Sequence, residues 1–255
     1  MISELLRQQD DSDPRGALRR ILGVSPLHVD AESWFSGAHG ELKVGALLSK
    51  LGDEWTVLHA VPVGTGDSDV DHVLVGPAGV FTINTKRHRG KKIWVSERML
   101  MISGQKTDHL RNSRHEAKRP SKLLSAATGM QVDAHPILAI VDPAGFTFKQ
   151  RPKDVSIMDA RALPRWLKRL KPTLDPDDVQ RIASAATESH TWHKSPDLTI
   201  DATYLERFRA LDREVVKAWR VRGFWAAAFT IGAIVFGATV LLPAMTSMLL
   251  EALLP

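Results

Sequence analysis

The sequence predicts a mixed α/β (α+β) fold, with a mixed central sheet flanked by helices and one transmembrane helix at the C-terminus. Apolar residues at helical spacing come before and after a block of short alternating apolar runs, so helices and strands are expected to share one core. Gly, Pro and Asp residues separate these runs, as is typical of turns. The final uncharged stretch is long enough to cross a bilayer.

The first third of the chain predicts two helices and a strand. A weak amphipathic helix is expected near the N-terminus, interrupted at 10–14. Residues 37–51 place apolar side chains on one helical face, and Gly52 suits the C-cap of that helix. Residues 55–63 alternate enough to form a strand.

A hairpin is predicted between residues 70 and 86, where two apolar runs flank a Gly-Pro-Ala-Gly turn. In an antiparallel hairpin the start of one strand lies beside the end of the next, so Asp71 is expected near Asn84 and Lys86. The side chains of Asn84 and Lys86 leave the same face because they are two residues apart. A carboxylate, an amide oxygen and a lysine form a workable site for metal-assisted phosphodiester hydrolysis, and a plain Asp71–Lys86 ion pair is the alternative.

The rest of the soluble part is expected to alternate strands with helices. Short strands are predicted at 92–95, 99–102, 136–142, 146–149 and 154–158. A helix over 110–127 is expected to break or restart at Pro120. Helical stretches follow at 159–170, 175–190 and 198–220. Asp175 is the expected N-cap of the second stretch, with Pro176 at its first position.

The C-terminal segment predicts a membrane anchor. Nineteen residues from Phe224 to Leu242 carry no charge, and the uncharged run continues to Leu250. Pro243 is expected to kink or end the helix. The lipid bilayer is therefore an expected partner, through residues 224–250. A buried hairpin helix in a soluble protein is the alternative.

Charge around this segment predicts its orientation. Lys217, Arg220 and Arg222 precede it and only Glu251 follows, so the positive-inside rule keeps the N-terminal domain cytoplasmic in a single-pass protein of the cell membrane. Small residues four apart in the segment permit a homo-oligomer through this helix. The expected domains are residues 1–33 (helix and linker), 34–158, 159–221 (helical extension) and 222–250.

Positive charge predicts an anionic partner. The formal net charge is +5, and residues 86–122 contain twelve Lys or Arg against three Asp or Glu. The predicted nucleic-acid ligands are Arg87, Arg89, Lys91, Lys92, Arg111, Asn112, Arg114 and Lys118. Glu116 is expected to form a salt bridge within its helix. A solvated helix face, or one that meets anionic lipid, is the alternative. The absence of cysteine excludes disulfides and cysteine-ligated zinc.

Four separated motifs resemble the nuclease-related domain (NERD) over about residues 34–150. They are Gly37–Gly40–Glu41, Asp71-His72, Gly79-Val80-Phe81 and Thr85-Lys86, and Arg111–Ala117 is similar to bacterial members of the family. The resemblance implies a restriction-endonuclease-like PD-(D/E)xK fold and a Mg²⁺- or Mn²⁺-dependent nuclease. Asp71 matches the first acidic ligand, Lys86 the lysine, and Glu41 an acid on the first helix. Asn84 stands where the family pattern has Asp or Glu.

These patterns favour a membrane-anchored cytoplasmic nuclease that hydrolyses DNA. The expected catalytic residues are Glu41, Asp71, Asn84 and Lys86, and the expected metal ligands are the first three. Two other hypotheses remain open at the level of sequence. One is a weakly active or inactive nucleic-acid-binding module on the same fold, because Asn84 lacks a charge. The other is a membrane-surface adaptor that binds anionic lipid.

Overall fold

The structure of the protein is a computed structural model that describes residues 5–6, 9, 15–28, 31–63, 69–192 and 202–253. The chain forms two compact units. The sheet unit comprises Phe35–Ile200, and the helical unit comprises Met1–Trp34 together with Asp201–Pro255. Residues 1–4, 7–8 and 10–14 of the predicted N-terminal stretch, and the loop at 64–68, lie outside the described residues.

The described part of the sheet unit contains nine strands. They are β1 (Thr56–Pro62), β2 (Asp69–Gly76), β3 (Gly79–Arg87), β4 (Lys92–Val95), β5 (Leu100–Ile102), β6 (Gln105–Thr107), β7 (Ala134–Val141), β8 (Gly145–Phe148) and β9 (Ser156–Asp159). Residues 5–6 and 9 are also helical, and the first helix whose bounds are described, α1 (Ala17–Ile21), belongs to the helical unit. The helices around the strands are α2 (Ala31–Leu48), α3 (His109–Thr128), α4 (Leu163–Leu167), α5 (Pro176–Thr187) and α6 (Ser189–Trp192).

The strands form two sheets, and the mixed α/β class predicted from the sequence is confirmed. The larger sheet has the order β1-β2-β3-β7-β9. Its first three strands pair antiparallel, whereas β7 runs parallel to both β3 and β9. The smaller sheet has the order β6-β5-β4-β8. The chain crosses from β3 to β7 through the smaller sheet and α3, which places that helix against the larger sheet.

Helices cover both faces of the larger sheet because successive strand residues alternate between two apolar cores. Leu74 and Ile83 pack with Val44 of α2 on one face. Val73 and Val80 pack with Leu124 of α3 on the other. The site predicted from the sequence therefore lies at the end of a sheet held between two helices, α2 and α3.

Helix α3 passes through Pro120 without the predicted break. Proline removes one backbone hydrogen bond, but Ala117 and Leu124 are buried on either side of it and hold the helix against the sheet. The Ser121 hydroxyl also bonds the Ala117 carbonyl at 2.8 Å and accepts the Ala134 amide at 2.9 Å. Tertiary packing therefore outweighs the local cost of the proline.

Helix α5 begins as the sequence predicts. The Asp175 side chain caps it by accepting the Asp178 amide at 2.8 Å, and Pro176 occupies the first helical turn. The preceding stretch is less helical than predicted, since a 3₁₀ turn at Ala160–Ala162 leads into the short helix α4.

The described part of the helical unit contains α1 and a long C-terminal helix. Helix α7 (Ala202–Phe236) continues through a π-helical turn at Gly237–Leu241 into α8 (Leu242–Leu253). The π turn lies just before Pro243, whose ring cannot fit a regular α-helical turn. Leu205–Thr246 is long and apolar enough to cross a membrane. An 18-residue window within it has a mean hydropathy of 2.0, and none of that window is buried.

We predict that Gly40→Leu destabilises the sheet unit by about 1–3 kcal/mol, because α2 lies too close to β3 to admit a side chain. A Cβ at Gly40 would stand 3.2 Å from Thr85 Cγ2 and 3.4 Å from Arg87 Cβ. Urea unfolding of the full chain in detergent measures the effect. Gly145→Leu is the control, since no atom lies within 4 Å of a Cβ at that position. Equal losses in the two variants would contradict the close packing of α2.

Candidate active site

Asp71 lies where strands β2 and β3 stop pairing. The ladder between them ends at His72↔Ile83, one residue before Asp71 would meet Asn84. The Asp71 carboxylate takes the place of the missing backbone acceptor, with the Thr85 amide donating to Oδ2 at 2.5 Å. On the other side, Ala60 of β1 has a φ of 49° and interrupts the pairing next to Asp71. Backbone pairing is therefore interrupted on both sides of Asp71, which leaves an opening in the ladder at this residue.

Helix α2 brings Glu41 to this opening. Gly40 allows the helix to approach β3 closely, and Glu41 follows it directly. Burial, and then the negative charge of Asp71, raise the pKa of Glu41 to about 8, while Lys86 acts in the opposite direction. The two carboxylates thus compete for ionisation in a partly dry site.

Asp71 experiences the same two opposing effects. Its pKa is raised to about 6, chiefly by burial and to a smaller extent by the charge of Glu116, whereas Lys86 and the Thr85 amide favour the ionised form. Burial has the largest effect on both carboxyl groups. The free energy lost when the carboxylates leave water is larger than the stabilisation of their ionised forms by Lys86 and the Thr85 amide.

Glu116 of α3 is a site residue that the sequence analysis missed. We expected a salt bridge within its helix, which was wrong: the Asn84 amide Nδ2 donates a hydrogen bond to Glu116 Oε2. The signal was present in the helical spacing. Ser113, Ala117 and Leu124 face the sheet, so Glu116 lies at the edge of that buried face.

Asn84 is buried, with 6 % of its surface exposed, and its two amide atoms differ in environment. Nδ2 bonds Glu116, but Oδ1 is buried without a hydrogen-bond partner. The neighbouring Thr85 Oγ1 is also buried without a partner. Such groups are costly in a folded protein and are uncommon unless a ligand or water pairs with them.

Lys86 is partly buried and acts on the carboxylates through its field. No ion pair within 4 Å joins it to a carboxylate among the described residues, so the plain Asp71–Lys86 ion pair considered above is not formed. Its positive charge also reaches His88 and His109, whose Nε2 atoms are 3.3 Å apart. Burial, and then Lys86, lower the pKa of both rings, that of His109 to about 4.

His72 packs in the core beside the site. It is 2 % exposed and its Nδ1 lies 2.8 Å from Nδ1 of His59 on the neighbouring strand. Burial lowers its pKa to about 3, so the ring is neutral at physiological pH.

The predicted nucleic-acid ligands at and after the end of β3 differ in their exposure to solvent. Arg87 is partly buried and pairs with Asp142, which also accepts Lys43. Arg89 and Lys91 follow on an exposed turn, and the exposed Lys92 begins β4. These three cations remain in solvent at the end of the strand that carries Asn84 and Lys86.

The basic residues of α3 lie on the flank away from Glu116. At 100° per residue, Arg114 and Lys118 project to the opposite side of the buried face. They line a cleft of about 590 Å³ with Lys122. Arg114 is held there by two hydrogen bonds to Asp154, of 2.6 and 2.9 Å. Arg111 pairs with Asp108 at 3.2 Å, and Asn112 is exposed. This row is therefore separate from the carboxylates.

No three His, Asp or Glu side chains form a metal-binding group among the residues that the structure describes. Oxygen atoms of Asp71, Asn84 and Glu116 lie near the end of β2 and β3, and the charge of Asp71 reaches Glu41 of α2. This set contains carboxylates from both helices that flank the sheet.

The region that contains the site matches a known protein family. The family model of the nuclease-related domain matches residues 36–141. The chain carries a NERD domain. The match extends from α2 to the end of β7 and therefore includes every residue of the site. The resemblance recognised in the sequence is confirmed, and the match makes a nuclease-like function the family expectation for this domain. The chain has no significant match among curated proteins or among solved structures.

We predict that Lys86→Met raises the pKa of His88 and of His109. In the native protein the ammonium group disfavours a second positive charge on either ring, so its removal makes each ring easier to protonate. NMR titration of the two imidazoles measures the change. Lys153→Met removes an exposed lysine elsewhere in the sheet unit and serves as the control. Unchanged histidine titrations in Lys86→Met would show that the ammonium lies elsewhere.

Proposed function

We propose that this NERD protein is a membrane-anchored nuclease that hydrolyses DNA phosphodiesters with Mg²⁺ or Mn²⁺. The observation that carries the proposal is the pair of buried carboxyl groups, Glu41 and Asp71, whose pKa values are both raised, at the end of the β2–β3 hairpin beside the buried oxygen of Asn84. Sites with buried, perturbed carboxyl groups are frequent where catalysis occurs.

The donor set fits a hard divalent cation. Mg²⁺ prefers oxygen ligands and is usually held by one or two carboxylates, with waters and substrate phosphate completing its shell. Asp71 and Glu41 offer carboxylates, and Asn84 Oδ1 is a buried oxygen that lacks a partner. A cation there would also offset the repulsion that raises the pKa of both carboxyl groups.

The bound cation would supply charge to polarise the phosphate and to lower the pKa of a water molecule. The protein would contribute position and charge around it. The Thr85 amide fixes the Asp71 carboxylate, and Gly40 sets the reach of Glu41. Lys86 has no contact ion pair with a described carboxylate, so its ammonium is available to a phosphate oxygen as charge develops there.

Glu116 would supply the charge that position 84 lacks. The family pattern has an acid on β3, and here an amide stands there with the carboxylate of α3 bonded to its nitrogen. The amide nitrogen faces Glu116 and its oxygen faces away. Asn84 and Glu116 together could present one neutral oxygen and one negative charge to the site.

DNA would be held by the exposed cations after β3 and by the basic cleft along α3. Arg89, Lys91 and Lys92 extend from the strand that carries the site. Arg114, Lys118 and Lys122 line the cleft on the other flank of α3. Contacts to phosphates give binding that weakens as salt increases.

The apolar helix would anchor the protein, with the NERD domain on the cytoplasmic side. The apolar part of Leu205–Thr246 is exposed, which is unfavourable in water but suits a bilayer. Lys217, Arg220 and Arg222 precede this part, as the positive-inside rule requires for that orientation. The same helix could pair two copies through its small residues.

We predict that Asp71→Asn and Lys86→Met each lower Mg²⁺-dependent plasmid cleavage by about 10²-fold or more, because each removes a charge from the reacting centre. The full chain is assayed in detergent. Asp177→Asn and Lys153→Met change exposed residues of the same kinds and should cleave like the parent protein. Cleavage that survives both site substitutions would place the chemistry elsewhere.

A non-cleaving DNA-binding module is the second candidate. Asn84 replaces the acid expected on β3, and the nearby negative charge of Glu116 belongs to α3 instead. If Glu116 supplies the missing charge, Glu116→Gln should weaken Mg²⁺ binding at least tenfold, and adding Asn84→Asp should recover most of it. Calorimetric Mg²⁺ titration measures both.

The parent protein's behaviour separates the two candidates. The binding module would be favoured if the parent protein does not cleave DNA, the Asn84→Asp variant does, and both bind DNA in a salt-dependent way. Mg²⁺ affinity that does not change in Glu116→Gln would remove Glu116 from the site.

A further inference from the structure

The N-terminal segment of the helical unit is fastened along α7 near the start of its apolar part. Arg15 pairs with Glu214, with 2.7 Å between Nη2 and Oε2. The indole Nε1 of Trp225 donates to the Ile21 carbonyl at 2.7 Å. This carbonyl belongs to the last residue of α1 and would otherwise lack an intrahelical partner.

A glycine closes the segment onto the helix. Gly23 has a φ of +68° and is buried against α7, where a Cβ would stand 2.5 Å from the Arg222 backbone nitrogen. Only glycine combines that conformation with so close an approach. The Arg15 guanidinium also donates to the Val24 carbonyl at 2.7 Å, which turns the chain back after α1. Residues 15–24 thus form a loop with its tip near Ile21 and Leu22.

These contacts direct the loop towards the apolar part of α7. Glu214 and Trp225 are eleven residues apart, so they lie about 16 Å apart along the helix axis. Arg15 is held at the polar end of that interval and Ile21 at the apolar end. The tip of the loop therefore lies level with the aromatic residues Trp219, Phe224 and Trp225, at the depth where a bilayer interface is expected.

The loop exposes apolar side chains that nothing in the described unit covers. Leu18, Ile21 and Leu22 are 70 %, 59 % and 49 % exposed. They occur at i, i+3 and i+4, so they form one stripe of α1. Five residues are too few for a helix that is stable by itself, so the contacts with α7 hold this stripe in place.

Cations surround the stripe. Arg19 and Arg20 lie on α1, and Lys217, Arg220 and Arg222 lie on the adjoining part of α7. All five are exposed, and none has a carboxylate partner among the residues that the structure describes. Apolar side chains bordered by arginine and lysine are typical of segments that lie in a membrane interface and meet anionic lipid.

We propose that residues 17–24, which we name the interfacial loop, insert into the same membrane leaflet that the apolar helix enters and bind anionic phospholipid headgroups. Leu18, Ile21 and Leu22 enter the boundary between headgroups and acyl chains. The five cations bind lipid phosphates around them. This inference rests on the proposed membrane anchoring, and it adds a second attachment of defined lipid preference.

Fluorescence of single labelled cysteines tests the proposal in the full chain. The protein contains no cysteine, so one introduced residue takes the whole label. Environment-sensitive labels are placed at Leu18→Cys and Ile21→Cys in the interfacial loop. Ile231→Cys reports the span, and Gln150→Cys is an exposed control in the sheet unit. Each protein is reconstituted into phosphatidylcholine vesicles with or without phosphatidylglycerol, and quenchers are attached to lipids at shallow or deep positions.

We expect shallow quenching at Leu18 and Ile21, deep quenching at Ile231 and none at Gln150. Phosphatidylglycerol should increase the inserted fraction of the two loop labels. Deep quenching at Ile231 with loop labels in water would overturn the interfacial loop and leave the anchor intact. A label at Ile231 that no lipid quenches would instead remove the membrane anchor, on which the inference rests.

Neutralising one cation of the interfacial loop tests the headgroup contacts separately. A cation near an anionic surface contributes about 1 kcal/mol, so Arg19→Gln should lower the ratio of inserted to free loop about fivefold in phosphatidylglycerol vesicles. Arg165→Gln changes an exposed arginine of the sheet unit and should leave the ratio unchanged. Equal insertion with and without phosphatidylglycerol in the parent protein would contradict the binding of anionic headgroups.

Discussion

The Thr85 amide donates to the Asp71 carboxylate where β2 and β3 stop pairing, and the geometry of the site depends on this hydrogen bond. A strand that loses its partner leaves backbone donors without acceptors, which is costly inside a protein. Asp71 satisfies one of them with its side chain. The strands can therefore separate while both remain ordered, and the opening between them admits side chains from the helices on either face.

Two helices use that opening in different ways. Helix α2 approaches β3 closely because Gly40 has no side chain, so Glu41 reaches Asp71 from one face. Helix α3 is held against the other face by Leu124 and by the Ser121 hydroxyl, and Glu116 reaches Asn84. Burial of these acids raises the pKa of Glu41 and Asp71, which is the condition a divalent cation would relieve.

Positive charge is concentrated in two regions of the protein, one in each unit. The cations of the NERD domain lie after β3 and along the outer flank of α3, on either side of a site suited to phosphate chemistry. The cations of the helical unit surround an exposed apolar stripe beside the first turns of a membrane-length helix. A single basic sequence thus serves nucleic acid in one unit and lipid in the other under the functions proposed here.

The sequence by itself determined the mixed α/β class, the NERD family and the N-cap of α5, because these follow from local pattern: periodicity, motif order and capping chemistry. It also placed Asp71 near Asn84 and Lys86, since a short hairpin fixes its own register. Only the tertiary structure decided that Glu116 joins Asn84, that α3 continues through Pro120, and that the basic row of α3 faces away from the carboxylates. These depend on how a helix packs on a sheet distant in sequence: helical spacing places Glu116 at the edge of the buried face of α3, but it does not say which strand residue that edge meets.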